Sequence, residues 1–182
     1  MPDNLFGLPT HVLLQHVVVV LLPVAAVAAL LVALWAWYRH HLGIATLVAT
    51  FLVTLFVPLT TQSGESLASR LPNSQVIAAH AAAGDRVQWV AVLFGLCLFA
   101  VVALDLRRRA TAPVELAPVE AWFSRRVPAS WREGVPNWTS PALTVARILL
   151  VITAIAVLVV VIQAGHSGAR AVWSQYPNLQ GR

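Results

Sequence analysis

The run "VLLQHVVVVLLPVAAVAALLVALWAW", residues 12–37, carries one ionisable side chain, His16, in 26 positions. About 20 residues of α-helix cross the hydrocarbon core of a bilayer. The run is therefore long enough to span. A cleaved leader would show a basic stretch before a shorter apolar core. Here the basic cluster "YRHH", 38–41, follows the run instead. The segment reads as a retained transmembrane helix.

Three more runs match it: 42–60, "LGIATLVATFLVTLFVPLT"; 87–106, "VQWVAVLFGLCLFAVVALDL"; and 142–164, "ALTVARILLVITAIAVLVVVIQA". The chain of 182 residues is 59% hydrophobic and 10% charged. Soluble domains carry about 25% charged residues, so a water-soluble core is excluded. Many of the apolar residues are β-branched, but lipid leaves an open sheet edge unsatisfied. Barrel strands are also about half as long as these runs. The expectation is an all-α membrane protein. A single domain over residues 1–182 would form an antiparallel bundle of four transmembrane helices. The lone cysteine, Cys97, excludes an intramolecular disulfide and any multi-cysteine zinc or iron–sulfur site.

The net charge of +5 comes from twelve arginines. In so apolar a chain this is a signal of topology rather than of nucleic-acid binding. Eight arginines (39, 107, 108, 109, 125, 126, 132 and 147) fall on one side of the spans. Four (70, 86, 170 and 182) fall on the other. The positive-inside rule then places both termini and the 61–86 loop outside. The cytoplasmic loop, 107–141, is proline-rich and repeats "APVE" at 112–115 and 117–120. Arg125 and Arg126 beside Trp122 and Phe123 fit a short stretch on the anionic inner leaflet, and a partner-docking loop is the alternative. Pro72-Asn73-Ser74 signals a helix start with Ser74 as cap. That helix would run to about Arg107 and project beyond the outer face. Asp105 and Arg147, near the inner ends of two spans, are expected to pair, which would relieve the cost of an intramembrane charge.

His40 and His41 belong to an expected solvated turn. The other four histidines, His11, His16, His80 and His166, all map to the outer side, and Glu65 joins them from "TTQSGES". Ionisable groups inside apolar spans are rare, and they usually face the bundle interior and mark function. His16 fits that description best, with a hydrogen bond across helices as the structural alternative. His11 and His16 lie five residues apart, about 140° around a helix, so one regular helix does not let them grip one ion together. His80 has Val76 and Gly84 one turn away on either side, so the two-histidine helical zinc grip is absent. A site would have to be assembled between helices. His166 stands between Gly165 and Gly168, and those glycines would allow close approach of a neighbour or a bound group. The span centres are almost wholly apolar, which weighs against transport.

Four stretches carry a resemblance: "LPTHVLLQHVVVVLLPVA" (8–25), "SGESLASRLP" (63–72), "VIAAHAAAGDR" (76–86) and "GHSGARAVW" (165–173). In order and along the whole four-helix portion, they resemble the bacterial membrane family catalogued as domain of unknown function 2231. The resemblance implies a four-helix domain of the bacterial cytoplasmic membrane, similar to b-type cytochromes. It also implies a redox setting, with quinone or a respiratory partner protein, and it points at His11, His16, Glu65, His80 and His166. The expected function is electron transfer by haem b near the outer face. His16 and His80 would be the axial pair, with His166 or His11 at a second site or as hydrogen-bonding groups. Glu65 would support the site or accept protons. A zinc or copper site built from the same five residues is a further expectation. The rival is an accessory subunit whose histidines only knit helix ends together.

Overall fold

The structure, a computed structural model, describes residues 4–5, 7–72, 74–110 and 139–173. A small hairpin, β1 (Asn4–Leu5) and β2 (Leu8–Pro9), leads into helices α1 (Thr10–Leu34), α2 (Ala36–Ala68), α3 (Gln75–Ala110) and α4 (Thr139–Trp173). The strands are antiparallel, with Leu5 opposite Leu8. Gly7 turns the chain at φ +79°, a conformation that costs glycine little. Beyond that hairpin the described chain is helical, and all four helices are long and apolar enough to cross a membrane. The "APVE" repeat and the stretch around Trp122 lie outside the described residues.

The helices outrun the apolar runs that announce them. Residues 61–68, expected in a loop, are helical up to Ala68, and α3 starts at Gln75, as the Pro72-Asn73-Ser74 signal predicts. Hydropathy reports bilayer depth, whereas a helix continues as long as its backbone and hydroxyls are satisfied. The hydroxyls of Thr60, Thr61 and Ser63 each donate to a carbonyl three or four residues earlier in the same helix, and Ser69, just past its end, donates to the Ser66 carbonyl. At the start of α3, the Ser74 hydroxyl accepts from the Val76 amide at 3.3 Å, the expected cap. At 36 residues, α3 is about 54 Å long. Pro23 and Pro58 lie inside α1 and α2, where each removes one backbone donor. Spanning helices tolerate this where neighbouring groups satisfy the freed carbonyl.

Each helix keeps large apolar side chains outside. Val24 on α1, Phe51 on α2, Leu96 on α3 and Ile152 on α4 are all more than half exposed. Water would penalise such a surface, whereas lipid tails accept it.

Two compact units divide the chain, and each helix contributes a segment to both. The first comprises residues 1–24, 52–92 and 156–182; the second comprises 25–51 and 93–155. Val18, Leu22, Val57, Val87, Ala91 and Val161 are buried in the first unit. Phe94, Leu98, Val101, Leu143 and Leu150 are buried in the second, together with Ala29 and Val32.

A buried charge network ties the second unit together. Asp105 accepts from Arg39 Nε at 3.1 Å through one oxygen and from Arg109 through the other. Arg109 also donates to the carbonyls of Arg39 and His40, both at 3.0 Å. The expected Asp105–Arg147 pair does not form. Arg147 instead donates through Nε to the Ala33 carbonyl at 2.6 Å. Arg39 Nη1 reaches the Val32 carbonyl at 3.1 Å. These two carbonyls belong to the last turn of α1, which has no basic residue of its own. A helix C-terminus leaves carbonyls unpaired and favours cations, and the two arginines satisfy both needs from elsewhere in the chain. His40 and His41 are helical in α2 rather than part of a loop. His41 donates to the Trp37 carbonyl at 2.9 Å and stacks on that indole.

Candidate cofactor site

The first unit contains a cavity of about 210 Å³. His11, Gln15, His16, Val18 and Val19 line it from α1, and Val57, Thr60 and Thr61 from α2. His80, Gly84 and Val87 line it from α3; Val161, Ala164, Gly165, Gly168 and Ala169 from α4. Four of its lining residues are exposed, His16 and Val19 on α1 and Gly165 and Ala169 on α4.

The histidine tautomers follow from their partners. His11 Nδ1 lies 2.9 Å from the Thr60 carbonyl, which can only accept, so Nδ1 carries the proton. Ser63 donates its hydroxyl to the same carbonyl at 2.8 Å. His80 Nδ1 lies 3.1 Å from Ser167 Oγ. The single Ser167 proton goes to the Ala164 carbonyl at 2.9 Å, so His80 is again the donor. His16 Nδ1 donates to the Val12 carbonyl one turn back in its own helix rather than across helices. In the neutral ring, each of these three histidines keeps Nε2 as a lone pair. The His11 and His80 rings are 6.1 Å apart between centroids, with planes at 75°.

Two glycines seat these rings. A Cβ on Gly64 would come within 2.8 Å of His11 Cε1, and one on Gly168 within 3.0 Å of His80 Cε1. The sequence-level idea that a glycine beside His166 admits a neighbour holds for Gly168. Gly165 meets nothing within 4 Å.

Of the five expected site residues, the cavity gathers His11, His16 and His80. The close ring pair joins His80 to His11, whereas sequence reasoning favoured His16. His166 lines a separate cleft with Gln75, Arg170 and Trp173. Glu65 is exposed and does not line the cavity. Among the described residues, no group of three or more His, Cys, Asp or Glu is placed to hold a metal ion. Sequence reasoning missed the carbonyl of Thr60, the hydroxyls of Ser63 and Ser167, and the two seating glycines. Their signal was the recurring Ser-Gly pair at 63–64 and 167–168. Compared with known proteins, the chain matches no family model, no curated protein and no solved structure.

Proposed function

We propose that the chain is a multi-pass protein of the bacterial cytoplasmic membrane that holds haem b among its outer-rim histidines and serves electron transfer. Its four helices would form an antiparallel bundle with both termini outside. The observation that carries this reading is the shared tautomer of His11, His16 and His80. Metal-ligating histidines almost always donate their other ring N–H to a carbonyl, carboxylate or water, which fixes the ring and leaves the ligating nitrogen free. These three histidines have that arrangement on oxygen acceptors.

The donor set fits haem better than a bare zinc or copper ion. A protein zinc site takes three or four side-chain ligands, and no group of three is placed for it among the described residues. Haem brings its own equatorial nitrogens and needs at most two axial side chains. Gly84, Ala164, Gly165 and Gly168 keep the cavity wall low. At about 210 Å³ the cavity is smaller than the macrocycle, so a haem would extend past its exposed lining residues. Bound there, haem would supply one-electron transfer with quinone or a redox partner protein. The chain's own part is to fix the imidazoles, exclude water with Val18, Val87 and Val161, and hold Nε2 unprotonated. The resemblance to the domain of unknown function 2231 family supports the same reading.

The test is the oxidised and reduced absorption spectrum of protein purified after expression with haem supply. A Soret band that shifts on reduction is expected. A protein with no such band and no metal by elemental analysis overturns the proposal.

The second reading is an accessory subunit with structural histidines. The bonds from His11 to Thr60 and from His80 to Ser167, which join α1 to α2 and α3 to α4, favour it. On that reading His80→Ala lowers stability and changes no spectrum.

A further inference from the structure

We propose that α1–α2 and α3–α4 are two copies of one helix hairpin, and that the cavity is a two-fold site in which the equivalent His11 and His80 hold one ligand from opposite sides.

The equivalence starts at the rings. His11 donates to the carbonyl of residue 60, and the hydroxyl of Ser63 donates to that same carbonyl. His80 donates to the hydroxyl of Ser167, which donates to the carbonyl of residue 164. In both hairpins the serine bonds three residues back, and the glycine after it seats the ring. The second hairpin thus repeats the His…Ser-Gly device of the first.

The register then holds along the helices. A shift of 69 residues carries His11, Gln15 and Val18 onto His80, Gly84 and Val87, and all six line the cavity. A shift of 104 residues carries Val57, Thr60 and Thr61 onto Val161, Ala164 and Gly165, which also all line it. The same shifts pair buried positions further along: Leu22 with Ala91, Ala25 with Phe94, Ala29 with Leu98, and Thr50 with Ala154. Any packed helix repeats its buried face at such spacings. The phase is set independently by the histidine in one case and by Ser-Gly in the other. Equivalent positions differ in size, as in Ala25/Phe94 and Ala29/Leu98. Complementary packing of this kind preserves total volume while erasing sequence identity.

A two-fold site offers the same group to both sides of its ligand. Imidazole nitrogens at about 2.0–2.1 Å on opposite sides of one transition-metal ion would put the two ring centroids about 6 Å apart. His11 and His80 stand 6.1 Å apart. On the haem reading above, the ligand class is a metal macrocycle. This rests on that reading and adds the pair. His16 is outside it, since the 69-residue shift carries His16 onto Asp85, which does not line the cavity.

The experiment uses the full-length protein purified with haem, with His11→Gly and His80→Gly made separately. Each variant is expected to convert a two-imidazole spectrum to a one-imidazole spectrum, and free imidazole in the buffer is expected to restore it in both. Rescue separates a lost ligand from a misfolded chain. Loss in His16→Gly with an unchanged His11→Gly spectrum overturns the pairing while the haem reading stands. A failure of imidazole to rescue either variant also overturns the pairing. A wild-type protein without the band overturns both.

Discussion

The four glycines that line or border the cavity make opposite predictions at the scale of single residues. At Gly84 and Gly165 an added methyl would meet nothing within 4 Å, whereas at Gly64 and Gly168 it would meet an imidazole at 2.8 and 3.0 Å. Replacing a helical glycine by alanine gains up to about 1 kcal/mol from backbone entropy alone. Gly84→Ala and Gly165→Ala should therefore raise stability in detergent by up to that amount. Gly64→Ala and Gly168→Ala push a ring that a hydrogen bond pins, so the gain should vanish and the spectrum should change. Thermal unfolding and absorbance on the four variants check this, and equal behaviour of all four sinks the idea that the glycines are seats. In sequence, the histidines were legible because imidazoles are scarce in apolar runs. Their partners were not, because a backbone carbonyl such as that of Thr60 has no signature, and which ring faces which depends on helix rotation. That is why His16 ranked above His11, although the ring beside His80 is His11.

At the scale of elements, the number and place of the four helices could be read directly, since about 20 apolar residues in a row have few other uses. The start of α3 could be read too, from Pro72-Asn73-Ser74, whereas the end of α2 could not. α2 runs to Ala68, past the end of its apolar run, and the Ser63 hydroxyl there is satisfied within the helix. The charge partners were also misassigned. Asp105 and Arg147 lie at compatible depth, but Arg39 and Arg109 take the carboxylate while Arg147 caps α1. Depth is readable from sequence, and azimuth around the helix is not. Asp105 is 4% exposed, and Arg39 and Arg109 are 7% and 8% exposed. Removing one partner of such a buried group leaves charge uncompensated, at a cost of about 3–5 kcal/mol. Asp105→Ala should be destabilised by that amount in a denaturant titration, because two guanidiniums lose their counter-charge. A loss below about 1 kcal/mol, the range of exposed pairs, would show that the network is solvated.

For the whole molecule, the open quantity is direction, which charge placement alone predicts. Arginines 39, 107, 108, 109 and 147 lie toward one set of helix ends, and 70, 86 and 170 toward the other. The side richer in arginine stays cytoplasmic. The helix ends that carry the histidine cavity should then face outward. Cys97 is the chain's single cysteine, so a Cys97→Ala background is free of thiols. In that background, cysteines placed at Glu65 and at Arg170, both exposed, should react in intact cells with a thiol reagent that cannot cross the membrane. A cysteine at Arg108, exposed near the end of α3, should react only after the cells are opened. The reverse pattern would invert the topology and move the cavity to the cytoplasmic face, where its redox partner would also have to be. Labelling of residues 65 and 170 on opposite sides would break the pairing of hairpins on which the two-fold site depends, because equivalent ends of two parallel copies must share a face.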